Sequence, residues 1–152
     1  MADSAVLTGS DTTILNERIL KDFPDTDVVN IEYPDNLVEP KNGKNGNTIY
    51  AFNAAGRRTN VTIRVLAGSS DDKYLQAEIA SYLNDPAAYT LIAGEFIKRV
   101  GDGKGNITNI IYQMKGGIIQ KIPNTKENVS GDTEQAVTSY LIVFANTPRT
   151  IG

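Results

Sequence analysis

The strongest structural signal in the chain lies in residues 90–114, TLIAGEFIKRVGDGKGNITNIIYQM. Two runs rich in β-branched and aromatic residues, 90–100 and 106–114, flank a segment of Gly, Asp, Lys and Asn. Gly, Asp and Asn are typical turn residues, and β-branched and aromatic residues favour strands. The pattern therefore predicts a long β-hairpin with its tip at residues 101–106.

Apolar side chains fall on both faces of this predicted hairpin. They are Phe96, Ile97 and Val100 on the first arm and Ile107, Ile110, Ile111 and Tyr112 on the second. Because a long exposed apolar edge promotes aggregation, we expect other copies of the chain to cover these residues, by strand pairing that closes a larger barrel. An ordinary β-sandwich whose hairpin folds back over its own core fits the same periodicity.

Most of the remaining chain also has the pattern of strands separated by turn residues. The clearest strand is 59–66, where Val61, Ile63 and Val65 share one face. Further strands are predicted at residues 12–16, 26–33, 48–53, 118–122 and 133–145, with a bend at Gly116-Gly117. The expected fold class is mainly β, a β-sandwich or β-barrel with one helix and a long extended hairpin.

The single predicted helix covers residues 69–84. Leu75, Ile79, Tyr82 and Leu83 lie at i, i+4, i+7 and i+8 and form one apolar stripe. Ser69 has the character of an N-cap, and the acidic residues that follow it favour a helix start. An amphipathic helix in a β-rich chain has to lay its stripe on a sheet or close an open barrel end.

The length of 152 residues predicts one domain, residues 1–152, with residues 1–11 as an N-terminal arm. Residues 35–47, DNLVEPKNGKNGN, contain proline and two glycines and are predicted to be an exposed contact loop, too broken for a strand. Within this loop, Asn42, Gly43 and Lys44 are candidate interface residues.

Composition excludes several kinds of function. Histidine and cysteine are absent, so imidazole catalysis, thiol nucleophiles, disulfides and Cys/His zinc sites are excluded. The formal net charge is −3, which gives no general basis for gripping phosphates. The longest apolar run has six residues (140–145), far short of the roughly 18 that span a membrane, and no secretory signal is recognised. We expect no membrane association.

Apparent catalytic and ligand motifs fail for lack of context. Residues 101–106 resemble a phosphate-binding loop, but no helix follows them. They also resemble a calcium loop, but Lys104 occupies a position that needs an oxygen ligand, and Gln113 occupies the position of the bidentate Glu that closes such a loop. The Asp clusters near residues 22–27 and 71–72 lie at a turn and a helix start, where Asp is common without catalysis. We therefore predict no catalytic residue, no metal and no cofactor.

Six segments of the chain resemble the tail tube proteins of contractile-tailed bacteriophages. They are residues 13–16 (TILN), 20–24 (LKDFP), 27–35 (DVVNIEYPD), 43–51 (GKNGNTIYA), 64–72 (RVLAGSSDD) and 140–144 (YLIVF). The resemblance implies a structural virion protein that forms hexameric rings, stacked into a hollow tube inside a contractile sheath. In such a tube the hairpins of six subunits line the lumen, and a loop and a terminal arm grip the next ring.

The resemblance also implies partners and a location. The partners are further copies of the chain, the sheath, baseplate and tail terminator proteins, and DNA in transient, non-specific passage. The location is the phage tail, assembled in the host cytoplasm. Two alternatives stay open: the tube of a phage-derived contractile injection device without DNA, and a monomeric carbohydrate-binding module, for which Tyr50 and Phe52 are the only hint. A carboxylate-based hydrolase is the least favoured.

Overall fold

The computed structural model describes residues 6–7, 11–24, 28–125 and 136–152, of which residues 6–7 are described by their backbone pairing. These residues contain eleven strands and one α-helix. In chain order the elements are β1 (Val6–Leu7), β2 (Thr12–Leu15), β3 (Arg18–Leu20), β4 (Val29–Glu32), β5 (Val38–Asn42), β6 (Thr48–Phe52), β7 (Thr59–Leu66), α1 (Ser70–Asn84), β8 (Ile92–Gly101), β9 (Ile107–Lys121), β10 (Val137–Asn146) and β11 (Arg149–Ile151). The predicted fold class, mainly β with one helix and a long hairpin, is confirmed.

Nine of these strands form one antiparallel sheet in the order β3-β2-β8-β9-β10-β7-β4, with β1 paired to β8 and β11 paired to β9. Strands β5 and β6 form a separate two-stranded hairpin. The sheet is curled and brings β4, at its end, close to β8 and β9. Val29 and Ile31 of β4 line the same cavity as Phe96 and Tyr112. The result is a partly open barrel.

The interior of this barrel is filled by one face of the sheet and by α1. On β7 the predicted alternation is observed, with Val61, Ile63 and Val65 fully buried. The fully buried residues of the neighbouring strand β10 are Tyr140, Ile142 and Phe144. Burying an aliphatic or aromatic side chain contributes about 1.5–3 kcal/mol, and these six residues are half of the twelve buried hydrophobic residues among those described.

Helix α1 begins and ends where the sequence predicts. The Ser69 hydroxyl accepts a hydrogen bond from the Asp72 amide at 3.2 Å, as an N-cap does. Leu75 and Ile79 are buried against the sheet. The prediction that the stripe continues through Leu83 is wrong, because Leu83 is 63% exposed. The stripe thus leaves the sheet in the last turn of the helix.

Three expectations about strands need correction. The segment 35–47 is not a broken loop, since β5 occupies residues 38–42 and pairs with β6. The bend at Gly116-Gly117 does not separate two strands, because β9 continues through both glycines with a register irregularity opposite β8. Strands β3 and β11 were not predicted at all, because each has only three residues and is defined by pairing with a distant segment.

Parts of three other predictions lie outside the described residues. These are most of the N-terminal arm 1–11, residues 26–27 of the predicted strand 26–33, and residues 133–135 of the predicted strand 133–145. The described part of the last strand begins at Val137.

Candidate assembly surfaces

The predicted β8–β9 hairpin is present, with its tip at residues 102–106. Cross-strand pairs run from Ile92 and Gly117 at the base to Gly101 and Ile107 at the tip. The Asp102 carboxylate orders the tip by accepting hydrogen bonds from the backbone amides of Lys104 (2.7 Å) and Asn106 (3.1 Å). The Asn106 side-chain amide donates a third hydrogen bond to Asp102, at 2.7 Å, and this bond, followed by the backbone bonds, holds the pKa of Asp102 below its usual value. The tip is therefore an ordered turn.

The inner face of the hairpin, directed to the barrel interior, carries Phe96, Val100, Ile110 and Tyr112. The rings of Phe96 and Tyr112 lie 6.0 Å apart, and Phe96 packs against the core. Both rings line a cavity of about 430 Å³ between the hairpin and β4. All four side chains are half-buried. Part of the predicted interface set therefore contacts the chain's own body.

The outer face of the hairpin, directed away from the interior, carries Ile97, Ile107 and Ile111. Ile97 and Ile111 are directly opposite one another on β8 and β9. Ile107, nearer the tip, is 56% exposed. We call these three residues the outer isoleucine row. The row alternates along the strands with polar positions such as Glu95, Gln113 and Asn109, so the face is mixed.

Short strands of the same chain cover the two edges of the hairpin. Strand β1 pairs with the end of β8, and β11 pairs with β9 at residues 110–112. Reciprocal backbone hydrogen bonds of 3.0 Å join Asn109 to Gly152. The guanidinium of Arg149 lies 5.7 Å from the centre of the Tyr112 ring. Within the described residues, the free edges next to the hairpin are consequently the far edges of β11, of β3 and of the two-residue β1.

The position of β11 is fixed by residues that sequence reasoning missed. Thr147, buried between β10 and β11, forms a 2.6 Å hydroxyl hydrogen bond with Thr59. The Tyr33 hydroxyl donates to the Thr147 carbonyl at 2.8 Å, and burial raises the pKa of Tyr33. These contacts join residues far apart in sequence, so no local pattern signals them.

The β5–β6 hairpin is a second exposed element, and all ten of its strand residues are exposed. Its large apolar residues include Ile49, Tyr50 and Phe52, which are 68%, 71% and 67% exposed. At its base, the Asn53 amide donates to the Leu37 carbonyl at 2.8 Å. The candidate residues Asn42, Gly43 and Lys44 all lie at or beside its tip, exposed.

Proline makes the two edges of this hairpin unequal. Backbone hydrogen bonds join Gly43 to Asn47 at the tip and Asn53 to Leu37 at the base. In an antiparallel pair, positions that bond to the partner strand alternate with positions that face outward, so the nitrogen of residue 40 points away from β6. Residue 40 is a proline and has no N–H to donate there. An additional strand is therefore disfavoured on the β5 edge.

A carboxylate clamp joins the β3–β4 connection to the start of α1. Asp71 is fully buried, and its carboxylate accepts hydrogen bonds from the backbone amides of Lys21 (2.7 Å) and Asp22 (2.8 Å). It also forms an ion pair with Arg18 (3.1 Å). In return, the Asp22 carboxylate accepts from the Ser70 hydroxyl at 2.7 Å, which holds the pKa of Asp22 below its usual value. Each polar group satisfies another, so the clamp is structural and offers no free ligand.

The described residues contain no group of three or more acidic side chains placed to hold a metal ion. No helix in that part of the chain has the length and hydrophobicity needed to cross a membrane.

The fold belongs to a class also found in contractile systems. The chain matches a chain in the cryo-EM structure of the PVC sheath/tube terminator of an extracellular contractile injection system in its extended state, with a TM-score of 0.56 over 92% of each chain. Sequence identity is 10%, so the likeness concerns the fold. No known sequence family and no curated protein sequence matches the chain.

Proposed function

We propose that the chain is a structural subunit of the inner tube of a contractile phage tail, assembled from stacked hexameric rings. The observation that carries the proposal is a long hairpin flanked by the free edges of β11 and β3, each of which carries an exposed isoleucine. The fold likeness to a chain of a contractile system supports the same assignment. In this proposal the protein has a mechanical role and no catalytic one.

Lateral contacts within a ring would use the far edges of β11 and β3. Each presents backbone donors and acceptors without a strand partner among the described residues. Each edge also carries an exposed isoleucine, Ile151 at 59% and Ile19 at 62%. Pairing the β11 edge of one copy with the β3 edge of the next would continue the sheet around a ring and remove both free edges. The hairpins would then line the lumen with their outer faces.

Contacts between rings would use the β5–β6 hairpin. Its faces expose Ile49, Tyr50 and Phe52, and its tip carries Asn42, Gly43 and Lys44. Tyr50 and Phe52 share one face and Ile49 lies on the other, and exposed large apolar side chains on a projecting element favour a protein interface. The N-terminal arm would make a second contact. Sheath, baseplate and tail terminator proteins are the further partners in this proposal.

Charge fits a conduit for DNA. Six copies, each with a formal charge of −3, carry −18 per ring. Because affinity for DNA comes mainly from cations that neutralise phosphates, an acidic tube lets DNA pass without holding it. The assembled particle would be located in the phage tail, built in the host cytoplasm.

Electron microscopy of the purified protein tests the proposal. We expect rings or tubes for the natural sequence and folded monomers for Ile151→Glu, which places a charge on the β11 edge proposed for lateral pairing. Leu83→Glu is a matched control, because Leu83 is exposed to a similar degree (63% against 59%) but lies on α1. It should assemble normally. A natural sequence that stays monomeric at high concentration, or an Ile151→Glu variant that assembles like the control, would contradict the proposal.

A second candidate is the tube of a contractile injection device that carries no DNA. It is favoured by the fold likeness, since the PVC structure is that of an extracellular contractile injection system. Nuclease-protected DNA in purified particles would exclude this candidate, and particles without DNA would favour it.

The carbohydrate-binding alternative depends on Tyr50 and Phe52, which lie two residues apart on β6 and therefore on the same exposed face. Stacking on sugars needs such aromatic faces, but the guanidinium of Arg57 lies over the Phe52 ring at 5.6 Å. Binding of a monomer to a glycan array, lost in Tyr50→Ser, would be the result that favours this alternative.

A further inference from the structure

The tip of the β5–β6 hairpin contains two Asn-Gly dipeptides, Asn42-Gly43 and Asn45-Gly46, in the sequence KNGKNGN. An asparagine followed by glycine can lose its side-chain amide without an enzyme, because glycine has no Cβ to hinder attack by its backbone nitrogen on the side-chain carbonyl. The two sites share this local chemistry. Their surroundings in the folded chain differ.

Asn42 is held by the hairpin. Its side-chain oxygen accepts a hydrogen bond from the Thr48 hydroxyl at 2.9 Å, across the pair that joins the ends of β5 and β6. The attacking atom of this dipeptide, the Gly43 nitrogen, donates its hydrogen to the Asn47 carbonyl at 2.5 Å. Reaction at Asn42 therefore requires two hydrogen bonds to open and the last strand pair to separate.

Asn45 is the middle one of the three residues, 44–46, that lie beyond the Gly43–Asn47 hydrogen bond at the tip of the hairpin. Its side chain is exposed and makes no hydrogen bond to any described residue. The Gly46 nitrogen makes one turn bond to the Gly43 carbonyl, at 3.1 Å. Gly46 has a φ of +84°, as in three-residue hairpin loops that end in a left-handed glycine. Such a loop tip opens more easily than the ladder below it.

We propose that Asn45 is a site of spontaneous deamidation in the folded protein, and that the hairpin ladder protects Asn42. The Gly46 nitrogen loses its proton to hydroxide and attacks the Asn45 side-chain carbonyl carbon. A carbon–nitrogen bond forms, the bond to the side-chain nitrogen breaks, and that nitrogen takes a proton from water and leaves as ammonia. Water then opens the five-membered imide at either carbonyl, which gives aspartate or isoaspartate at position 45.

The product changes the charge of the loop tip. Lys44 is the one charged residue of the segment 43–47, so a carboxylate at position 45 offsets it. Isoaspartate also lengthens the backbone within the loop. An effect of these changes on contacts between rings would rest on the proposed function, whereas the chemistry at Asn45 does not.

Peptide mass spectrometry of the full chain, incubated in mildly alkaline buffer, tests the proposal. We expect aspartate and isoaspartate to accumulate at Asn45 about fivefold faster than at Asn42, since one additional hydrogen bond is worth about that factor. In concentrated urea the ladder is lost, and the two rates should become equal. Equal rates in the folded protein, or a faster reaction at Asn42, would overturn the proposal.

A variant of the protecting residue provides an independent check. Thr48→Val removes the hydroxyl that binds Asn42 but keeps the β-branched shape suited to a strand. The rate at Asn42 should rise towards that at Asn45, and the rate at Asn45 should stay unchanged. Asn45→Gln should abolish the modification at position 45. A Thr48→Val rate at Asn42 equal to that of the natural sequence would refute the protecting role of the ladder.

Discussion

Replacing Asp71 by alanine should destabilise the protein severely. The Asp71 carboxylate is fully buried and is the acceptor for two backbone amides, those of Lys21 and Asp22, and for the guanidinium of Arg18. An unsatisfied buried donor costs about 1–3 kcal/mol, and two amides lose their acceptor, whereas the Arg18 side chain is 37% exposed and can be hydrated instead. We therefore expect the free energy of unfolding to fall by about 2–6 kcal/mol, a large fraction of the roughly 5–15 kcal/mol of a typical domain.

Urea unfolding followed by circular dichroism measures this loss. The matched control is Asp35→Ala, which removes a surface ion pair with Arg58 (3.4 Å, side chains 38% and 50% exposed) and should cost less than about 1 kcal/mol. The loss of unfolding free energy for Asp71→Asn should lie between those of Asp71→Ala and Asp35→Ala. The Asn oxygen can still accept from Arg18, but its NH₂ group faces backbone donors. If Asp71→Ala costs no more than the control, the clamp does not stabilise the fold.

Three further perturbations test other parts of the structure. A Cβ in Gly94→Ala would overlap the carbonyl oxygen of Ile14 on β2, so we expect a loss of about 1–3 kcal/mol in urea unfolding, and an unchanged midpoint would contradict the close β2–β8 approach. The Ser70 hydroxyl lowers the pKa of Asp22, so the ionised Asp22 stabilises the fold above the usual carboxyl pKa, and this stabilisation is lost as pH falls through the lowered pKa. Asp22→Asn should flatten this acid dependence, and identical acid unfolding curves for the two proteins would contradict the role of Asp22. Burial raises the pKa of Tyr140, so the folded protein should lose stability as pH rises above about 10, where the unfolded chain ionises first. Tyr140→Phe should reduce that alkaline loss, and equal slopes for the two proteins would refute the assignment.

The elements predicted correctly are those specified by local physical signals. Strand β7 follows from strict alternation, and α1 follows from the Ser69 cap and the spacing of Leu75 and Ile79. The hairpin tip follows from its glycines, two of which, Gly103 and Gly105, have positive φ. Each signal lies within a few residues, and the tertiary structure does not override it.

The elements predicted wrongly depend on distant partners. Pro40 suggested a broken loop, but a proline is compatible with an edge strand when its nitrogen points away from the ladder. Gly117 suggested a break, but a Cβ there would overlap the Phe144 ring, so the glycine allows close packing inside a continuous β9. Leu83 has helical spacing, yet the sheet does not extend far enough to cover it. The assignment of Ile97 and Ile111 to one face and Phe96 and Tyr112 to the other required the observed register, since a shift of one residue would exchange the two sets.

The exposed elements differ in how they can make contacts. Monomeric proteins usually protect free strand edges with charges, proline or bulges. The β5 edge has such protection in Pro40, so the β5–β6 hairpin is suited to contacts through its apolar faces. The edges of β3 and β11 carry exposed Ile19 and Ile151 beside a single arginine each and have no proline. Those edges are suited to strand pairing. None of these side chains belongs to the buried core, so substitutions there should leave the fold intact. In the proposed function, substitutions on β3 and β11 should alter lateral pairing, and substitutions on the faces of β5 and β6 should alter ring stacking.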